Sequence, residues 1–170
     1  MAFSVAPTLE TERLVLRPYR QDDFEAFASY FASSRSIYTD GPVSRLTAWD
    51  LFTAGAGRWM IAGHGAWTIE RKSDAKALGL VSLNTAITLP DPELGWIIWD
   101  GFEGQGFAFE AALNARNFAF EILQWPELIS GIHQDNHASI RLAERLGAVR
   151  DTALVLDAEP ETLFYRHKAQ

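Results

Sequence analysis

A mixed α/β domain is the fold class this sequence predicts, and three observations predict it. Short β-branched and aromatic runs, too short for typical helices, recur between glycine- and proline-marked turns. Between them lie stripes of Phe and Ala at helical spacing. The resulting order, β-α-α-β-β-β-α-β-α-β-β, mixes hairpin-like neighbours with strands joined through helices, which indicates one domain over residues 1–170.

Residues 11–18 alternate polar and apolar side chains as a first strand, and Pro18 ends it because it lacks an N–H for the ladder. Asp22 and Asp23 are acidic residues at a helix start, followed by the stripe Phe24, Phe27, Ala28 and Phe31. Residues 33–43 read as loop, punctuated by Gly41 and Pro42. Residues 44–60, with Leu46, Trp49, Leu51 and Phe52, predict a second helix interrupted near Gly55 and Gly57. Residues 66–69 and 77–83 read as two antiparallel strands with a turn around Asp74. The run from Leu94 to Trp99 is another strand. Ala108, Ala111, Ala112, Ala115, Phe118, Ala119 and Ile122 then mark the buried face of a helix. Trp125 and Pro126 break that pattern before a strand at 128–132. A further helix opens around Asn136 and closes at Gly147, a C′ glycine. Residues 148–156 and 162–167 alternate as a closing hairpin.

The chain of 170 residues is 48% hydrophobic and 22% charged, ordinary globular values that exclude disorder as an explanation. A formal charge of −7 sets it against nucleic acid and suits a cationic or amine-bearing partner. With no cysteine there is no disulfide, thiolate metal site or Cys nucleophile. No basic stretch precedes an apolar core at the N-terminus, and no apolar run reaches membrane-spanning length. A soluble cytoplasmic protein with no membrane partner is the expectation.

Gly104 and Gly106 lie where the strand ending near Trp99 meets the helix after it. A helix start of this kind presents unpaired N–H groups at the positive end of a dipole, a site for an anion such as phosphate. It is not a dinucleotide fingerprint, because Phe109 stands where the third glycine belongs. Nor is there a Gly-Lys-Ser/Thr for a P-loop. On this motif alone, a turn that needs glycine for backbone freedom explains the pair equally well.

The downstream motif Asn136, Ser139, Leu146-Gly147 changes that balance. Taken with Glu12-Arg-Leu-Val-Leu-Arg-Pro18, Glu93-Leu-Gly-Trp96 and Gly104-Gln-Gly-Phe-Ala108, it resembles the GNAT acyltransferase superfamily, specifically the ribosomal-protein N-terminal acetyltransferase branch. The resemblance implies a central, twisted, mostly antiparallel sheet with a splayed parallel strand pair and helices on both faces. It implies acetyl-coenzyme A as co-substrate, no metal, and an amine acceptor. Dimers are common among such enzymes, so a homodimer is compatible with it. By likeness, the backbone N–H groups of Gln105, Gly106, Phe107, Ala108 and Phe109, with Gly104, would cradle the pyrophosphate, while Ile98 and Asn136 would meet the pantetheine arm. Glu103 stands where the family usually has Arg or Gln, and like charge predicts that it points to solvent.

Transfer to an amine needs a proton acceptor and a donor for the leaving thiolate. The helix tyrosine used as donor in many relatives is matched here by Ala143, which leaves Ser139 as the candidate; helix capping is the competing role. For the acceptor, Glu93 comes first and Glu70 second, although strand alternation is also compatible with a solvent-facing Glu93. His133 and His137 flank the second motif, as bases or as surface and capping residues. Arg141 and Arg145 lie one turn apart, facing either phosphate or solvent. Among the aromatics, mostly core, Tyr38, Trp49 and Trp59 fall in the region where relatives form the acceptor wall.

Overall fold

The computed structural model describes residues 5–169. Residues 1–4, on which the expectation of no leader partly rests, and Gln170 lie outside the described residues. Eight strands form one sheet in the order β1-β2-β3-β4-β5-β6-β8-β7. They are β1 (Leu9–Glu10), β2 (Leu14–Arg17), β3 (Ala66–Arg71), β4 (Lys76–Asn84), β5 (Glu93–Ile98), β6 (Leu128–His133), β7 (Val149–Arg150) and β8 (Thr162–His167). Every neighbouring pair is antiparallel except β5 and β6, which are parallel and joined through a helix. The expected mixed α/β architecture with one parallel pair is therefore the one observed.

Four α-helices cover the sheet: α1 (Phe24–Ala32), α2 (Arg45–Ala62), α3 (Phe107–Glu121) and α4 (His137–Arg145). On one face, α3 lays Ala111, Ala112, Ala115 and Ala119, all fully buried, against Leu14, Leu16, Trp67, Ile69, Val81, Leu83 and Leu94. Small side chains let the helix axis approach the strands closely, so larger residues there would overpack. On the other face, Phe24, Phe27 and Phe31 of α1 and Phe52 of α2 pack with Leu80 and Trp99. Alternation along β4 sends Leu80 to this side and Val81 and Leu83 to the other. A bulge at Leu78, where the β3 partners jump from Gly79 to Ala77, breaks that alternation and keeps Leu78 with α3. Buried Arg17 ties β2 to the start of α1 through two bonds to Asp23 (2.7 and 2.8 Å) and to β3 through Glu70 (2.5 Å).

Three expectations need correction. α2 runs unbroken through Gly55 and Gly57, from a Ser44 side-chain cap to the left-handed Gly63. Each interior glycine costs about 1 kcal/mol relative to alanine. At Gly55 the space is tight, since a Cβ would come to 3.3 Å from the ring of Tyr19, which would have to give by a few tenths of an ångström. The closing hairpin is also shorter than its alternating pattern suggests, because only Val149–Arg150 pairs with β8. Asp151 ends the strand by accepting from the N–H groups of Ala153 and Leu154 while its other oxygen holds Arg166. Finally, the stretch read as loop before α2 contains a 3-10 turn, Ser34–Tyr38, capped by Ser33.

Candidate active site

The parallel pair begins normally and then parts. Ile129 N–H donates to Pro92 O (2.8 Å), and Glu93 faces Ile129 as the single paired register. One step further on, side chains replace the ladder. The Ser130 hydroxyl donates to Leu94 O (2.6 Å), and Gly131 N–H donates to the Glu93 carboxylate (3.2 Å) instead of to a main-chain carbonyl. Glu93 is thus a wedge at the point of divergence. Trp99 N–H bonds Leu78 O on the opposite edge, and antiparallel alternation along β5 turns the main-chain groups of Trp96 and Ile98 towards the gap. A cleft of about 680 Å³ occupies this region, reaching from Tyr19 and Arg58 on the α1/α2 face to Asn136 and Ser139 at the start of α4.

β5 leads directly into the glycine turn. Gly101, Gly104 and Gly106 all sit in the left-handed region (φ 83°, 72° and 81°), which other residues enter only with strain. α3 has no side-chain cap; its first internal bond is Glu110 N–H to Gly106 O (3.1 Å). The N–H groups of Phe107, Ala108 and Phe109 therefore have no partner among the described residues, and they stand at the positive end of a 15-residue helix. An acid in the first turn would oppose an anion here, yet Glu110 is drawn aside by Thr11 (2.6 Å) and Arg13 (2.7 Å). Burial alone would raise its carboxyl, but those bonds outweigh burial and hold it below the usual range. Arg13 also bonds Gln105 O (3.1 Å), fixing the turn. The Arg145 guanidinium lies over the Phe109 ring at 4.7 Å, so it is not simply solvated.

Glu103 is half exposed, but it is not a free charge in solvent: it is ion-paired with Arg35 of the 3-10 turn. Arg35 also donates to Ile98 O (3.2 Å), so one of the two main-chain groups expected to serve a ligand at Ile98 is already engaged.

Asn136 Oδ1 accepts from Ser139 N–H (3.2 Å) and caps α4. The Ser139 hydroxyl therefore does not cap; it accepts from the Trp96 indole N–H (3.3 Å), and its own proton is left to donate. Burial raises the Glu93 carboxyl above its ordinary value, and the bond from Gly131 only partly offsets this. His133 lines the cleft, stacked on Tyr38 at 4.9 Å. Its Nδ1 accepts from Asp135 N–H (3.2 Å) and its Nε2 faces Glu161 (3.4 Å), so no lone pair is open for a substrate proton. Among the described residues no group of three or more His, Cys, Asp or Glu has metal-binding geometry, and no helix is long and apolar enough to cross a membrane.

The acetyltransferase (GNAT) domain model matches residues 13–149, from just before β2 to the first residue of β7. The chain belongs to the GNAT acetyltransferase family. It is 26% identical over 152 residues to the uncharacterized N-acetyltransferase YoaA of Bacillus subtilis (strain 168), covering 87% of this chain and 86% of YoaA. An acetyltransferase from Agrobacterium tumefaciens str. C58 superimposes with a TM-score of 0.91 at 38% identity, over 99% of this chain and 98% of that one. The ribosomal L7/L12 α-N-protein acetyltransferase RimL shares the fold, with a TM-score of 0.78 at 14% identity over 97% and 99% of the two chains.

Within this GNAT domain, Glu93, Asn136 and Ser139 meet on one cleft, whereas Ile98 and residues 104–109 lie at the end of β5 and are not among its lining residues. Glu70 is removed from consideration as a base because Arg17 and Arg20 hold it in the ion-pair network beneath α1. His137 and Arg141 are exposed and off the cleft. Of the three aromatics proposed for an acceptor wall, only Tyr38 lines it. Trp59 is core, its indole bonded to Ala66 O (2.9 Å), and Trp49 packs edge-on against Phe24 on the outer side. Tyr19, Arg58 and Trp96 line the cleft without any local sequence signal for that role; Trp96 reads as an ordinary strand residue.

Proposed function

We propose that this domain is an N-acetyltransferase that moves acetyl from acetyl-coenzyme A to a primary amine by direct attack in a ternary complex. The observation carrying this reading is the interrupted β5–β6 ladder, with an uncapped helix start beyond the end of β5 and Glu93 and Ser139 both lining the cleft along it. Five residue steps of about 3.3 Å separate Glu93 from Ile98, so a ligand anchored at the turn must reach the wedge in extended form. The free N–H groups of Phe107, Ala108 and Phe109 suit a pyrophosphate, and the main-chain edge of Trp96 together with the Ile98 N–H, the Ile98 carbonyl being held by Arg35, suits an amide-bearing arm. A Cβ at Gly104 would meet nothing within the protein, so that side of the turn is open to a ligand.

Acetyl-coenzyme A supplies the acyl group as a thioester already activated for attack. Glu93, whose proton affinity is raised by burial, takes a proton from the amine as the N–C bond forms. The Ser139 hydroxyl, oriented by Trp96, gives its proton to the thiolate as the C–S bond breaks. One proton leaves nitrogen and one reaches sulfur; Glu93 then loses its proton to solvent and Ser139 regains one from solvent, which resets both groups. With no cysteine in the chain, the most plausible acyl-enzyme nucleophile is missing, which supports direct attack. A second reading, a coenzyme-binding module without transfer, draws on Ala143, which is fully buried where many relatives carry a donor tyrosine. Calorimetric titration with acetyl-coenzyme A, paired with thiol release against a panel of amines, separates them. Binding with release supports the enzyme, binding without release supports the module, and no binding at millimolar concentration sinks both.

A further inference from the structure

The walls of the cleft carry charge of both signs that the fold leaves unspent. Asp40, at a left-handed position (φ 66°) just after the 3-10 turn, lines it with no hydrogen bond or ion pair among the described residues. Glu159, from the loop before β8, lines it and accepts only from Thr162 Oγ1 (3.3 Å). With Glu93, they make three carboxylates from three separate segments of the chain that line one cleft, Asp40 and Glu159 with exposed side chains. His133, the remaining titratable base there, has both ring nitrogens engaged.

Opposite them stands Arg58 of α2. It is the one Arg or Lys among the described lining residues, it is exposed at the rim, and no hydrogen bond or ion pair holds its guanidinium. Its field reaches Glu93 and Tyr19, yet it lies beyond ion-pair distance of either acid wall. An acceptor that was only an ammonium would satisfy the acids and leave Arg58 unused. An exposed guanidinium at the rim of a cleft that also presents acids is free to pair with a planar or tetrahedral oxyanion on a bound molecule.

We propose that the acceptor is a small zwitterionic amine, whose ammonium is drawn to Asp40, Glu159 and Glu93 while a carboxylate or phosphonate on the same molecule pairs with Arg58. This rests on the acetyltransferase reading for its chemistry but not for its binding. Overall, the ammonium and the thioester become an amide, a thiol and one released proton. The acids concentrate the protonated amine, Glu93 strips it to the nucleophilic form and passes that proton to solvent before taking the second as the N–C bond forms, and Arg58 sets which substituent accompanies it.

The test pairs molecules that differ only in the anion: phenylalanine, methionine and serine against their α-amides, and 2-aminoethylphosphonate against ethylamine. Binding is read by calorimetry on the protein with coenzyme A present, and turnover by thiol release. The acid of at least one pair should bind about ten- to hundredfold tighter than its neutral partner, the range of one charged hydrogen-bonded contact. The carboxylate and phosphonate arms tell which oxyanion is preferred. In Arg58→Gln the acid-to-amide ratio should collapse towards one, with Arg58→Lys retaining part of it; unchanged coenzyme affinity and melting temperature show that the fold is intact. Equal binding of acids and amides, a preference that survives in Arg58→Gln, or no zwitterion bound at all overturns the proposal. Arg58-dependent binding without thiol release would support the assignment of the cleft and count instead against acetyl transfer.

Discussion

Two helices begin beside the parted strands, and they begin in opposite ways. α4 is closed: Asn136 caps it through Ser139 N–H. α3 is open: a left-handed Gly106 precedes it, no side chain caps it, and three N–H groups remain free among the described residues. A glycine in place of a capping side chain forgoes only about a few tenths of a kcal/mol of helix stability. α2 is capped by Ser44, and α1, which also lacks a side-chain cap, continues directly from the 3-10 segment Gln21–Asp23, so α3 differs from both in starting from a left-handed glycine. Free donors at a dipole terminus are what an anion site requires, and the closed start of α4 instead fixes one hydroxyl in place. The contrast assigns binding to one helix start and positioning to the other.

The largest effect should come from closing the open start. Gly106→Asp puts a Cβ at a left-handed φ, 3.4 Å from Arg13, and sets a carboxylate among the free donors. The helix still forms, because aspartate is a good cap that offsets part of the backbone strain of about 1 kcal/mol. Acetyl-coenzyme A affinity, by contrast, should fall about a thousandfold in calorimetry, through like-charge repulsion and loss of the N–H cradle. Unchanged affinity would show that the anion sits elsewhere.

At the closed start, Ser139→Ala should leave the cap intact, since Asn136 bonds the main chain of Ser139 and not its side chain. Thermal stability should hold, kcat should fall about a hundredfold, and KM for acetyl-coenzyme A should stay near its original value. Equal kcat in the variant would take Ser139 out of the donor role.

Between the two helix starts, the parting of the strands is fixed by Ser130, whose proton goes to Leu94 O. Ser130 must therefore accept from His167 Nε2–H (3.0 Å), leaving Nδ1 buried with no partner among the described residues. Burial first, and then the nearby Arg116 charge, lower the His167 pKa to about 4. In the unfolded chain it titrates near 6.5, so between these values the unfolded state binds more protons. Its contribution is complete above pH of about 6.5 and is lost as pH falls towards 4. By pH 4.5 it should cost about 2.5 kcal/mol in urea-unfolding free energy. His167→Gln keeps a donor for Ser130 and should flatten that slope; an unchanged slope would place the titration on another group.

The open start was readable because it is local: two glycines one residue apart, followed by a buried helix stripe, specify the turn without reference to the rest of the chain. Asn136 and Ser139 are likewise separated by a single helical step. What could not be read depends on contacts made across the fold. Ser139 meets Trp96 over 43 positions, and Glu93 meets the Gly131 N–H over 38. Alternation along β5 says that Glu93 and Leu94 face opposite ways, but not that the ladder fails just there and turns a carboxylate into its substitute. Arg35 and Arg58 carry no motif at all, and they matter only because the 3-10 turn and an unbroken α2 bring them to the site. Glu103 shows the same limit: its charge was legible, its partner was not.

The smallest effect is also the one that best separates the two roles. Asn136→Ala removes the α4 cap and should cost about 1 kcal/mol, lowering Tm by about 2–4 °C for a chain of this length. Asn136→Asp restores an equally good cap while placing a negative charge on the cleft wall. If Asn136 only positions Ser139, Asp should recover both stability and turnover, and coenzyme affinity should change in neither variant. If its amide also contacts the pantetheine arm, stability should return in Asp while affinity stays depressed by about tenfold, the worth of one neutral hydrogen bond. Calorimetry and melting curves on the same two proteins decide between these outcomes. The second would mean that the closed helix start shares in binding, so that the division of labour between the two helices is one of degree.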